Sequence, residues 1–299
     1  MKSLFISFVR FVQKLSVKRQ MKGQEKYREG VSRIFNVKYA DGNNKRHILD
    51  IHYPTKNNKL LPVIINFHGG AFIGGEKWYN TEHCEVLASN NFLVFNVEYT
   101  RTPNINIFDE IKESFIAIDW IMKNLEKYHG DKSKITLMGD SAGSWMISMF
   151  QIVNNSTKLQ KIYKVSRIDL DIKSNVLISP VMNVEKAMTP PCHIFWFRPY
   201  VYSLKNSKKY PLNLTSFQNV INEYKIPNCL IVTSKGDSNY YCFAKELKNL
   251  LKKSDINYEY LEYENGERIL EHCFNIMHPS YPESIDANKK IIDFINKCN

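Results

Sequence analysis

Apolar residues in this chain fall into short β-rich runs separated by stretches of helical period. Residues 31–40 and 47–53 read as two strands around Asp41-Gly42-Asn43-Asn44, a cluster of turn formers. Further runs at 63–67, 92–99, 135–138, 176–178 and 231–233 read as buried strands, and 258–263 alternates like a final one. Between them, residues 107–128 put Ile111, Phe115, Ile118, Ile121, Met122 and Leu125 on one helical face. Residues 144–153 and 285–297 also read as helices. Strands alternating with helices predict a mostly parallel central sheet with helices on both faces, the opening hairpin supplying an antiparallel edge.

The first thirty residues differ from the rest. Leu4, Phe5, Phe8, Phe11, Val12 and Leu15 form one helical stripe, with Ser7, Arg10, Gln13 and Lys14 opposite. Arg10 and Lys14 interrupt the apolar region and no clear small-residue cleavage site follows, which argues against a signal peptide. Residues 1–30 hold eight Lys or Arg and two Glu, so 8 − 2 = +6 of the chain's net +11 sits there. A basic amphipathic helix of this kind can lie on an anionic membrane surface.

Composition adds bounds rather than chemistry. A chain of 299 residues, 43% hydrophobic, can bury one large core or two modest ones. It holds no long uncharged apolar span, so no transmembrane helix is expected. The cysteines, at 84, 192, 229, 242, 273 and 298, form no Cys-x-x-Cys pair and read as free thiols of a reducing, cytoplasmic compartment. Cys273, beside His272, reads as a small loop residue rather than a chemical one. His and Cys do not cluster as metal ligands. The remaining charge is scattered, and no nucleic-acid motif is present.

Four places carry chemistry. Gly139-Asp140-Ser141-Ala142-Gly143 lies between a strand-like and a helix-like stretch, the context in which Gly-x-Ser-x-Gly presents a serine hydroxyl on a sharp turn. The strand at 63–67 runs into His68-Gly69-Gly70-Ala71-Phe72, where a glycine turn can aim N–H groups at a developing negative oxygen. Gly69, Gly70 and Ala142 are the candidate oxyanion donors. Asp237 follows the strand at 231–233 and so falls at the carboxyl edge of a parallel sheet. His272, in the loop after the last strand, is the candidate base, and His278 before Pro279 is a weaker competitor. Ser141 as nucleophile, His272 as base and Asp237 as orienting acid make an acyl-transfer triad that needs no metal or cofactor.

At Gly139 to Gly143 and His68 to Phe72 the chain resembles the α/β-hydrolases, specifically the hormone-sensitive-lipase-like esterases. Ala71 stands where many members carry a third glycine. The resemblance covers about residues 31–295 and implies the α/β-hydrolase fold with a helical cap. It implies the order serine, acid, histidine, and His272-Cys273-Phe274 resembles the family's histidine motif. Residues 31–299 would form the hydrolase domain. Residues 182–217 resemble the cap insertion, and residues 1–30 would help build the cap, peripheral membrane contact through residues 1–20 being the alternative. Phe72, Phe195 and Trp196 are candidate lining residues of an apolar pocket over Ser141. The implied activity is hydrolysis of small apolar carboxylic esters. An amidase or arylformamidase of the same fold is the alternative, and a non-catalytic ligand-binding relative a weaker one.

Overall fold

The structure, a computed structural model, describes residues 2–21, 27–202 and 212–299. Its centre is a sheet built from β1 (Val31–Lys38), β2 (Ile48–Pro54), β3 (Leu61–Phe67), β4 (Leu93–Val97), β5 (Gly130–Asp140), β6 (Ile172–Ile178), β7 (Cys229–Ser234) and β8 (Tyr258–Tyr263). The spatial order is β1-β2-β4-β3-β5-β6-β7-β8. β1 and β2 are antiparallel to each other, and β2 is antiparallel to β4. From β4 to β8 every pairing is parallel. The α/β architecture expected from the alternating pattern is therefore present.

Side chains of the inner strands alternate between two cores, as a period of two requires. Ile65, Phe95, Leu137, Leu177 and Ile231 face one side. There they meet α3 (Ile107–Asn124), α4 (Ala142–Asn155), α5 (Thr157–Tyr163) and α8 (Tyr241–Lys253). Ile64, Val94, Met138, Val176 and Leu230 face the other, against α2 (Thr81–Ser89), α9 (Phe274–Met277) and α10 (Pro282–Cys298). Helix α3 starts where Asn106 Oδ1 accepts the Asp109 N–H at 3.0 Å, and the helical run expected to reach residue 128 tightens into a 3₁₀ turn from Leu125. Between β6 and β7 lie only short elements, α6 (Val184–Ala187), a 3₁₀ turn His193–Phe197, α7 (Arg198–Val201) and further 3₁₀ turns. Residues 203–211 of the expected cap, and residues 1 and 22–26 of the expected N-terminal segment, lie outside the described residues.

Helix α1 (Lys2–Gln20) does not pack by its apolar stripe. Ile6, Val17 and Met21 are buried, whereas Leu4, Phe5, Phe8, Phe11, Val12 and Leu15 are exposed. The body grips the polar face instead. Arg10 Nε donates to Ile73 O at 2.6 Å, Arg10 Nη2 donates to Thr102 O at 2.8 Å, and Lys14 Nζ donates to Glu76 Oε2 at 3.2 Å.

Burial also leaves a pH-sensitive group in α2. The His83 imidazole is enclosed, and that desolvation, partly offset by Asn288, pushes it from 6.5 down to about 4. The unfolded chain therefore takes up a proton that the folded chain refuses. Stability from this group is full above 6.5 and is lost as pH falls toward 4, by on the order of 3 kcal/mol. Urea unfolding at about pH 7.5 and about pH 4.5 should show a shallower pH dependence for His83→Gln than for the parent. Equal dependence in both would assign the acid sensitivity elsewhere.

Candidate active site

Chain topology brings the singled-out residues together at the carboxyl ends of β3, β5, β7 and β8. Ser141 sits between β5 and α4 with φ 51° and ψ −116°, a conformation that a non-glycine residue holds only under constraint from its surroundings. Two close approaches supply that constraint. A Cβ on Gly139 would overlap the Gly143 backbone, and one on Gly143 would overlap the Phe67 carbonyl oxygen. The Ser141 N–H donates to Ile178 O at 2.8 Å, tying the turn to the end of β6. This is the geometry of a nucleophile elbow.

Asp237 lies just past β7 and is buried, and His272 follows β8. His272 Nδ1 and Asp237 Oδ2 are 2.6 Å apart. Asp237 Oδ1 accepts the Tyr240 N–H at 3.2 Å, so both carboxylate oxygens are engaged. The Tyr240 ring lies 4.3 Å from the imidazole and limits its rotation. Ser141 and His272 line one cavity, with no direct hydrogen bond between Oγ and the imidazole among the described residues. Such contacts are often long before substrate binds. His278 stacks on Tyr281 at 4.6 Å and lies outside that cavity.

The loop after β3 differs from the sequence expectation at one donor. Gly69 N–H, expected to face the oxyanion, donates to Asp140 Oδ2 at 3.0 Å. A Cβ there would meet the same carboxylate, so Gly69 is a point of close packing against the elbow. The N–H groups of Gly70, Ala71 and Ala142 make no hydrogen bond among the described residues, and all three residues line the cavity. Ala71 thus offers an N–H to the cavity that the sequence expectation did not include. Its φ of 55° and that of Phe72, 66°, turn the loop in a way that neither residue type signals.

Buried charge holds this loop. Tyr99 Oη donates to His68 O at 2.7 Å, and the Thr102 hydroxyl donates to Phe72 O at 2.9 Å. Burial would raise the Glu98 carboxyl, but the His68 hydrogen bond and the charges of His68, Arg101 and Arg46 outweigh it and hold Glu98 well below the usual range. Asp140 goes the other way. Burial raises it, partly offset by the Asn80 hydrogen bond, the His68 charge and the Gly69 N–H. Cys273 Sγ lies 3.8 Å from Asp140 Oδ2, and burial pushes that thiol up. A buried neutral thiol is a poor nucleophile.

The cavity over Ser141 holds about 190 Å³. Phe72, Val181 and Ile194 form apolar wall, and Gln13 and Val17 of α1 close one side. Phe72 packs edge-on against Trp145 at 5.3 Å. Phe195 and Trp196, expected in the wall, are not part of it. Trp196 is 66% exposed, with Phe195 at 4.4 Å. In the 3₁₀ turn His193–Phe197 the period is three, so Ile194 and Phe197 share the inward side and the two rings between them point away. A larger groove of about 650 Å³ along α8 contains none of these residues.

Esterase B from Lactobacillus rhamnosis superposes with a TM-score of 0.89 at 21% identity, covering 99% of this chain and 95% of that one. The chain has the α/β-hydrolase fold. An esterase of the bacterial hormone-sensitive lipase family superposes at TM-score 0.72 and 15% identity, covering 95% and 90%. Residues 49–194 match the BD-FAE family model, which spans the oxyanion loop and the elbow. Isoprenylcysteine alpha-carbonyl methylesterase from Arabidopsis thaliana is 30% identical over 145 residues, 48% of this chain and 34% of that protein. The 3-O-acetylpapaveroxine carboxylesterase of Papaver somniferum is 34% identical over 104 residues, 30% and 32% of the two chains. The matched segment spans about a third of the length of these two relatives. No helix among the described residues is long and apolar enough to cross a membrane.

Proposed function

We propose that the chain is a serine carboxylesterase acting on small apolar esters. The observation that carries this reading is Ser141 on a strained turn in the same cavity as His272, whose Nδ1 is held 2.6 Å from Asp237. His272 accepts the serine proton as Oγ attacks the acyl carbon. Gly70, Ala71 and Ala142 offer N–H groups to the tetrahedral oxyanion, aided by the positive end of α4. Alcohol leaves with the proton from His272, and water then releases the acid by the reverse sequence of proton transfers.

Ester rather than amide is supported by the relatives, whose names denote a methylesterase and a carboxylesterase. Small size is supported by the cavity, whose 190 Å³ is below the roughly 300–1,000 Å³ of sites for drug-sized ligands. The six cysteines, none paired, support a reducing compartment.

Hydrolysis of p-nitrophenyl esters from acetate to palmitate tests the reading. Turnover should be greatest for the shortest acyl groups and fall steadily as the chain outgrows the cavity. A folded protein inactive on every ester, yet active on a formanilide, would replace the esterase reading with the amidase one.

A further inference from the structure

Helix α1 presents to solvent the face that an amphipathic helix ordinarily buries. At about 100° per residue, Ile6, Arg10, Gln13 and Val17 share one side, and Leu4, Phe8, Phe11 and Leu15 share the opposite one. Leu4 is 76% exposed and Phe8 63%. The helix cannot roll to hide them, because Arg10 and Lys14 are bonded to Ile73, Thr102 and Glu76 of the body. A contiguous apolar patch on a folded surface marks a place where something docks.

From this we infer that the outward face of α1 binds an anionic lipid surface, the helix lying in the interface plane. Charge selects this occupant. The helix carries Lys2, Arg10, Lys14, Lys18 and Arg19 and no Asp or Glu. Lys18 and Arg19 are exposed and fall on the outward side by the same angular spacing, placed to reach headgroups while the phenyl rings enter the acyl boundary. A second copy of the chain docking by this face would set these cations against their own images, an unfavourable pairing. The patch continues onto the cap region, where Phe5 stacks on Tyr200 at 5.8 Å and Trp196 stands exposed on the same segment. Gln13 and Val17, on the inner side of α1, wall the cavity of Ser141. Lipid-bound α1 therefore sets that cavity close to the membrane surface, where apolar esters concentrate.

The inference stands apart from the esterase reading, because binding is measured without turnover. The full chain is sedimented at low salt with vesicles of equal parts phosphatidylcholine and phosphatidylserine, and with phosphatidylcholine alone. Parent protein should pellet with the anionic vesicles. Phe8→Ser/Phe11→Ser/Leu15→Ser and Lys18→Glu/Arg19→Glu should each weaken that binding more than about tenfold. These side chains face solvent, so circular dichroism and hydrolysis of a soluble short ester should match the parent. A parent that stays in the supernatant overturns the inference, as does binding that the apolar triple variant retains. A dimer in sedimentation velocity that the triple variant dissolves, without vesicle binding, would assign the face to a second copy instead.

Discussion

Ser141→Ala is expected to lower ester turnover by roughly 10⁴- to 10⁶-fold. The loss is that large because no other group in the cavity can replace the hydroxyl. Cys273 also lines the cavity, but burial beside Asp140 keeps its thiol protonated. Folding should be untouched. Alanine accepts the same backbone strain as serine, and the Ser141 Oγ makes no hydrogen bond among the described residues. Thermal midpoints of parent and variant should agree, so that the rate difference reports chemistry alone. The residual rate should exceed the uncatalysed one, since Gly70, Ala71 and Ala142 still offer their N–H groups. Mass spectrometry adds an independent reading. A phosphonate ester should add one phosphonyl group to the peptide holding Ser141, and none to the variant. A variant that keeps half of the parental rate would remove Ser141 from the mechanism.

Much of the fold was legible because inner strands of a parallel sheet are buried on both faces and so read as unbroken apolar runs. β3 and β7 are examples, and β8, at the edge, alternates as expected. Helix α8 was not among the helices expected, although Phe243, Leu247 and Leu251 recur there every fourth residue. Nor was helix α2. Its buried face holds Glu82, His83 and Glu85 beside Cys84 and Leu87, and polar residues in the core erase the periodic signal.

Residues of the site divide in the same way. Ser141, Asp237 and His272 could be placed because each follows a stretch that reads as a strand, apolar for β5 and β7 and alternating for β8, and a parallel sheet collects such ends on one edge. The oxyanion loop could not be read to the residue. Which N–H groups remain available depends on Ala71 and Phe72 adopting positive φ and on Asp140 claiming Gly69, neither of which is local in sequence. Ile194 was hidden behind Trp196 because a period of three and a period of 3.6 choose different side chains within five residues. The stripe on α1 revealed an amphipathic helix without revealing which side meets the body. That choice rests with Ile73, Glu76 and Thr102, whose oxygens accept the polar face.

Replacing Asp237 with Asn should cost about 10⁴-fold in kcat while leaving the protein folded. The argument runs through the two oxygens of the carboxylate. Oδ1 accepts the Tyr240 N–H, and only an oxygen can accept there. In the variant the amide oxygen therefore takes that place and the NH₂ group faces His272 Nδ1. An NH₂ group donates, so Nδ1 must become the acceptor and the ring proton moves to Nε2. With Nε2 protonated, the imidazole has no lone pair for the serine proton, and attack on the acyl carbon stalls. The substitution also removes the negative charge that stabilises the imidazolium formed in the transition state. KM should change little, because Asp237 is buried behind the imidazole and does not line the cavity. The double variant Ser141→Ala/Asp237→Asn should be no slower than Ser141→Ala alone, since the acid acts only through a base that then has no serine to serve. A loss below about tenfold in the single variant, or additive losses in the double one, would show that the carboxylate works by some route other than holding this tautomer.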